Sequence, residues 1–351
     1  MSVRSQLERR VRALIANPGT RKDAVRDRLI ADIAVWQAAH IPEYGRLHRD
    51  GAWPPALPTD VFRVRRIAWH PPEEDARVFR SSGTTSSDRS TRVFRDLSLY
   101  DAAARAAAKH MLFPDVERMR LVLVVPHEEE APDSSLSYML TRFTEWFGTE
   151  HTWVWHDDAL DIDRLETTLA QAVADGQAIA LLGTSFAFVH AEDELGDLRI
   201  ALPAGSRIMQ TGGYKGRSRE VDPAALRRTM SQRYGVPEPW IVAEYGMTEL
   251  SSQMYETTLR DDLTGISSAR RLWVPPWVRA TPVDPDTLEP VQGALSGVLR
   301  IDDCASLDSV CCVQTSDLAT RIEDGIVVKG RAPGAPPRGC SLAADEALGV
   351  S

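Results

Sequence analysis

Arg207-Ile208-Met209-Gln210-Thr211-Gly212-Gly213-Tyr214-Lys215-Gly216 is the stretch that decides the fold. Arg207–Gln210 reads as a short strand, and paired glycines follow it almost at once. Bare backbone at the end of a parallel strand lets a flat ligand lie at the carboxyl edge of the sheet, where nucleotides usually bind. A plain turn fits the same residues. Working outward, further strand-like runs occur at Leu121–Val125, Thr152–Trp155, Ala178–Leu182 and Trp240–Ala243. Helical segments separate them. Ser134 or Ser135 caps one that carries Tyr138, Met139, Phe143 and Phe147, Asp161–Ala174 is a second, and Asp222-Pro223 opens a third that ends near Tyr234. Apolar strands alternating with helices require crossover connections. The fold class is therefore α/β, with a largely parallel sheet and helices on both faces.

The flanks differ. Residues 1–40 read as helices, with Leu7, Val11, Leu14 and Ile15 at helical spacing. Eight Lys/Arg against three Asp/Glu in residues 1–28 also suit a transit peptide, but the periodicity favours a solvated amphipathic helix. Ile41–Pro72, rich in Pro and aromatics, reads as an extended segment pinned to a surface. Val78–Arg80 is a short strand, and Leu97–Met111 is an Ala-rich helix. From Leu272 onward, short runs at Gly297–Ile301, Ser309–Gln314 and Gly325–Val328 suggest a small antiparallel or barrel-like subdomain, with Asp324-Gly325 as a hairpin turn. The expected division is an α/β core over 1–271, a small β subdomain over 272–331 and a tail over 332–351 carrying Cys340.

Composition bounds the function. The 351 residues are 43% hydrophobic and 26% charged, an ordinary globular balance, and the net charge of -9 argues against nucleic acid as a partner. No apolar run approaches the ~20 residues of a membrane span. Cys304, Cys311, Cys312 and Cys340 lie in the last fifty residues without a C-x-x-C pattern, so neither a zinc cage nor a disulfide framework is indicated and a reducing cytoplasm fits best.

Four segments carry chemistry. In Ser81-Ser82-Gly83-Thr84-Thr85-Ser86-Ser87 a glycine among hydroxyls lets the backbone approach a phosphate and offers several donors, and Arg89 adds a fixed positive charge. It is not a Walker loop, and a flexible Ser/Thr linker has the same composition. Gly212-Gly213-Tyr214-Lys215-Gly216 is the second segment. In Tyr245-Gly246-Met247-Thr248-Glu249 the ring can stack on a base, Thr248 can bond a phosphate and Glu249 can hold Mg2+; a helix cap is the plain alternative. In Thr315-Ser316-Asp317, followed by Gly330-Arg331, Asp317 can hold a ribose diol or merely cap a turn.

In this order and spacing the four segments resemble the adenylate-forming superfamily, which includes acyl-CoA ligases, peptide-synthetase adenylation domains and luciferases. Within it the chain is most similar to the acyl-protein synthetases of bacterial bioluminescence. Leu57-Pro58-Thr59-Asp60-Val61-Phe62, Gly213–Arg217 and Arg338-Gly339-Cys340-Ser341-Leu342 share that likeness, which spans Ile41 to Leu342. The resemblance implies the superfamily's N-terminal-domain fold, with ATP and Mg2+ as cofactors. It places the Ser81–Thr85 loop with Arg89 on the β,γ-phosphates, Gly212, Gly213 and Tyr214 around the adenine, Thr248 on the α-phosphate, Glu249 on Mg2+, Asp317 on the ribose and Arg331 near the hinge. Lys215 joins the charge-stabilising groups, and Cys340 is the acyl-accepting thiol, with Arg331 and Arg338 near it in sequence. Ser86 replaces a common Gly and Arg89 a common Lys, which preserves phosphate binding. Only twenty residues follow Arg331, so the large mobile C-terminal domain with its catalytic Lys is expected to be absent.

The implied activity is ATP-dependent conversion of a carboxylic acid to an acyl-adenylate, with transfer to Cys340. Alternatives are transfer to CoA, an amine or a carrier protein, or a catalytically silent scaffold for a reductase or carrier partner. Gly183-Thr184-Ser185-Phe186-Ala187, with His190 nearby, is expected to wall the acyl pocket. The same residues approximate a hydrolase nucleophile elbow, but no His follows His190, which removes the hydrolase.

Overall fold

The structure, a computed structural model, describes residues 2–47, 54–81, 89–157, 159–212, 221–332, 344–345 and 347–349. They fall into two compact units. One comprises Met1–Ala107, Met247–Met254 and Arg271–Ser351, and the other Ala108–Gly246 and Tyr255–Arg270.

The second unit holds the parallel sheet. Its strands run in the order Ile241–Tyr245, Arg207–Thr211, Ile179–Thr184, Met119–Val124 and Gly148–Trp153, and every adjacent pair is parallel. This is the arrangement that the alternating strands and helices required. Helices Ile162–Asp175, Ser185–Leu195 and Pro223–Tyr234 cover one face, where Leu169, Phe188 and Met230 pack with Leu181, Ile208 and Ile241. Side chains alternate along a strand, so Leu182, Met209 and Val242 point to the other face, and all three are fully buried. Helix Ser135–Phe147 packs on the strands Met119–Val124 and Gly148–Trp153.

The caps explain where these helices begin. The Ser137 N–H donates to Ser134 Oγ at 3.1 Å, Arg164 N–H to Asp161 at 2.9 Å and Ala225 N–H to Asp222 at 2.9 Å, with Pro223 in the first helical turn. Each removes an unsatisfied donor at a helix start. Helix Ser185–Leu195 has no counterpart among the elements expected from the sequence. There Thr184 Oγ1 accepts from Ala187 N–H at 3.0 Å, so the expected pocket wall is a strand end turning into a capped helix.

The other unit is helical at its start, with Val3–Ile15 and Asp23–Ala38, and antiparallel at its end. Strands run in the order Val278–Val283, Ser296–Asp303, Cys312–Ile322, Gly325–Arg331 and Leu272–Trp273. Val278–Val283 ends that order and pairs with no second strand among the described residues, so the sheet does not close on itself and the barrel-like expectation gives way to the antiparallel one. Leu57–Pro58 lies parallel to Val313–Gln314, an extended segment pinned to the sheet as expected, although short helices at Pro42–Leu47 and Val61–Val64 interrupt its neighbours. Arg77–Arg80 pairs with Thr91–Phe94 in an antiparallel hairpin.

One turn differs by a residue. Ile322 pairs with Gly325, so the loop is Glu323-Asp324, with Glu323 at φ 50° and Gly325 already in the strand. The reason is packing. A Cβ on Gly325 would lie 2.4 Å from the Leu272 carbonyl oxygen, so the glycine serves the pairing with Leu272–Trp273.

Candidate functional site

The hydroxyl-rich segment connects the paired strands Arg77–Arg80 and Thr91–Phe94 in sequence. Ser82, Gly83, Thr84 and Thr85 lie outside the described residues, but the neck of the loop is defined. The Ser81 N–H donates to the Ser90 carbonyl at 2.9 Å, the Ser90 N–H donates to Ser81 Oγ at 2.9 Å, and Arg89 Nε donates to the Ser81 carbonyl at 2.6 Å. Ser81 and Arg89 therefore close the neck, and the Ser81 hydroxyl is engaged within the protein.

The returning strand carries a residue that the sequence alone does not single out. Arg92 is 1% exposed, with its guanidinium 5.0 Å from the Phe94 ring centre. Its Nη1 donates to the Glu249 carbonyl and its Nη2 to Ser251 Oγ, each at 3.2 Å, while Nε has no partner among the described residues. Burial lowers its pKa to about 10, against the opposing charges of Asp308, Asp303 and Glu249. Thus one buried cation ties the strand leaving the hydroxyl-rich loop to the turn containing Thr248 and Glu249.

That turn is anchored from behind as well. Leu250 N–H donates to the Met247 carbonyl at 3.1 Å. Next along the chain, Ser251 N–H and the Ser252 hydroxyl donate to the Asp303 carboxylate at 2.9 and 2.7 Å, and Ala305 N–H adds a third bond at 2.9 Å. Trp277 Nε1 donates to Ser252 Oγ at 2.9 Å. Burial pushes the Asp303 carboxyl up, while these donors and Arg92 pull the other way. Glu249 is 5% exposed and Thr248 half-buried, so both stand on a well-connected turn.

Asp317 and Arg331, on the two strands of one hairpin, are direct cross-strand partners. Arg331 Nε lies 3.9 Å from Asp317 Oδ1, beyond hydrogen-bond length, and its side chain is exposed. Asp317 N–H donates to Thr315 Oγ1 at 3.1 Å, and Thr315 Oγ1 donates to the Leu299 carbonyl at 2.7 Å.

The second unit contributes the ends of two adjacent parallel strands. Arg207–Thr211 runs into Gly212, which adopts φ +73° and has no described atom within 4 Å of where a Cβ would stand, and Ile241–Tyr245 runs into Gly246. Gly212 and Gly246 are exposed and Tyr245 is half-buried. Gly213, Tyr214 and Lys215 lie outside the described residues, as does Cys340. Two residues missed in the sequence stand just inside these ends. Thr211 and Glu244 are register partners, and the Thr211 hydroxyl donates to the Glu244 carboxylate. Ser185 Oγ approaches Gln210 Oε1 at 3.4 Å on the opposite face, and His190 sits edge-on to Trp155 with ring centres 6.2 Å apart.

Cys304, Cys311 and Cys312 are buried and carry no disulfide, and burial pushes the Cys304 and Cys311 thiols up. Such thiols are poor nucleophiles. No group of three or more metal-binding side chains occurs among the described residues, and no described helix is long and apolar enough to cross a membrane.

Comparison with known proteins follows the same lines. A family model described as "Acyl-protein synthetase, LuxE" matches residues 50–349. A long-chain-fatty-acid–luciferin-component ligase of Vibrio harveyi is 21% identical over 315 residues, covering 84% of this chain and 78% of that one. The protein of the same name from Aliivibrio fischeri is 22% identical over 286 residues, covering 80% and 70%. Among solved structures, a 2-hydroxyisobutyryl-CoA ligase superposes with a TM-score of 0.62 at 15% identity, over 90% of this chain and 77% of that one. The fold is that of the adenylate-forming enzymes.

Proposed function

The chain belongs to the LuxE acyl-protein synthetase family, and on that premise we propose that it is an acid–thiol ligase that activates a carboxylic acid with ATP. A carboxylate oxygen attacks the α-phosphorus and pyrophosphate leaves. A thiolate then attacks the acyl carbon, and AMP leaves with the electron pair of the broken C–O bond.

The observation that carries this reading is the Arg92 tie. The strand leaving the hydroxyl-rich loop and the Thr248–Glu249 turn share one buried network, as a phosphate loop and a metal-binding carboxylate must when they act on one triphosphate. Arg89 and the loop hydroxyls bind the β,γ-phosphates, with Lys215 adding charge, and Thr248 contacts the α-phosphate. Gly212, Gly213, Tyr214, Tyr245 and Gly246 take the base. Gly212, left-handed and with no described atom within 4 Å of where a Cβ would stand, suits the close approach of a flat ligand. Asp317 takes the ribose, with Arg331 beside it. Mg2+, held by Glu249, would neutralise phosphate charge as it develops. The protein's own part is to fix donors where that charge gathers.

Cys340 is the proposed acyl acceptor. Cys304, Cys311 and Cys312 are sealed in the interior, which leaves Cys340 as the remaining thiol. Three thiols without a disulfide also suit a reducing cytoplasm. The acceptor of the wider superfamily, CoA, an amine or a carrier thiol, is the second reading of that step.

ATP–pyrophosphate exchange across a panel of carboxylic acids tests the first half-reaction. Acid-dependent exchange that is lost in Glu249→Ala is the expected result. Folded protein without exchange on any acid would instead indicate a silent scaffold for a reductase or carrier partner. Intact-mass measurement after turnover tests the second half: a covalent acyl adduct that persists in Cys340→Ser removes that residue from the role.

A further inference from the structure

The carboxyl edge of the parallel sheet holds a charge that its surroundings do not match. Glu244, the penultimate residue of Ile241–Tyr245, is 7% exposed, and its single hydrogen bond among the described residues comes from the Thr211 hydroxyl. No cation pairs with it among those residues. The strand interiors around it are apolar: Val242, Met209 and Leu182 occupy the same face and are fully buried. Burying a carboxyl with one neutral partner is costly, and such groups cluster at functional sites.

Position indicates which ligand. In an open parallel sheet, ligands bind outside the carboxyl ends of the strands. Thr211 directly precedes Gly212, and Glu244 directly precedes Tyr245-Gly246, the segments assigned to the base. Alternation turns the Glu244 side chain to the face opposite that of Tyr245. The carboxyl thus stands one residue inside the positions proposed for the base and on the face opposite Tyr245, the side that the nucleotide reading above leaves for the acid.

We propose that Glu244, supported by Thr211, is the specificity element of the acid-binding site, and that the acid this chain activates carries a second, hydrogen-bond-donating group, a hydroxyl or an ammonium, in place of an unbroken alkyl chain. The inference rests on the acid-activating reading above. It differs from the long-chain fatty acid in the names of the Vibrio harveyi and Aliivibrio fischeri relatives. An alkyl chain against Glu244 would leave a buried acceptor unpaired. A site built around a polar group rejects an analogue lacking it far more strongly than an apolar site rejects one extra methylene.

The test uses the full chain, with exchange assays and calorimetric binding on three acid series matched in length: plain alkanoic, hydroxylated and aminated. Donor-bearing acids should exceed matched alkanoic acids by about 100-fold or more in kcat/KM. Glu244→Leu should collapse that ratio towards one, through lost binding of the donor-bearing acids. Glu244→Gln should keep hydroxylated acids and lose aminated ones if the recognised group is an ammonium, and it serves as the reading variant should the leucine protein not fold. Wild-type preference for plain alkanoic acids, or a ratio unmoved by both substitutions, overturns the specificity role while leaving acid activation standing. Absence of exchange and of binding with every acid overturns both.

Discussion

Replacing Glu244 by glutamine should make the protein more stable at alkaline pH and nearly indifferent to the change at acidic pH. Burial pushes this carboxyl from 4.5 to about 7, against a smaller opposing effect of the Thr211 hydroxyl. The folded chain therefore keeps a proton that the unfolded chain releases between those two values. Stability falls as pH rises through that window, and the whole cost is present above it. Each pH unit of the gap is worth about 1.4 kcal/mol, so ionised Glu244 weakens the fold by about 3 kcal/mol at pH 8. Glutamine is neutral, has nearly the same shape and can still accept from Thr211. Urea unfolding of both proteins at pH 5, 6, 7 and 8 measures the difference, because every other titrating group is common to the pair. The variant should gain about 2–3 kcal/mol over the wild type between pH 5 and pH 8. A difference that stays constant across the series, or one that favours the wild type more as pH rises, would refute the reasoning.

Three further outcomes are expected. Gly212→Ala places a side chain at φ +73° with no described atom within 4 Å, so backbone strain of roughly 1–2 kcal/mol should appear in a urea titration, accompanied by a higher KM for ATP in the exchange assay. Arg92→Met removes the donors to the Glu249 carbonyl and Ser251, and should lower stability by roughly 3 kcal/mol and slow exchange, whereas Arg92→Lys should recover stability better than it recovers the rate. Gly183→Ala puts a methyl 2.9 Å from both the Cβ and the carbonyl oxygen of Val124, and overpacking of about 1–3 kcal/mol should register as a lower melting temperature.

Much of the parallel sheet was legible because its signals are local. Apolar runs, cap residues such as Ser134, Asp161 and Asp222, and the Asp222-Pro223 start each report on a few neighbouring residues, and the strands and helices lie where those signals put them. Helix Ser185–Leu195 was not legible, since its apolar residues show no clean stripe and Gly183–Ala187 reads only as a pocket wall beyond a strand. The hairpin loop moved by one residue because Gly325 answers to a distant carbonyl, that of Leu272, and not to the turn. Among the site residues, Asp317 and Arg331 proved to be strand partners, a fact that depends on register. Arg92, Asp303 and Glu244 escaped notice for one physical reason. A charged residue on a strand looks like part of a solvated face until the third dimension shows it buried.

These three buried charges are not equivalent, and the contrast bears on which of them serves structure. Asp303 accepts from two backbone N–H groups and from serine hydroxyls, and Arg92 spans two acceptors with carboxylates near it. Both belong to networks in which removing one member leaves others unsatisfied, the usual signature of a structural anchor. Glu244 has one neutral partner among the described residues, so its removal strands a single hydroxyl there. A chain selected for stability alone would gain by replacing it with glutamine or leucine. Its position between two loop-bearing strand ends makes ligand recognition the term that offsets the cost, and it follows that the Glu244 variants should separate the two quantities: stability rising while discrimination among acids falls. Arg92 and Asp303 variants should lose stability and activity together.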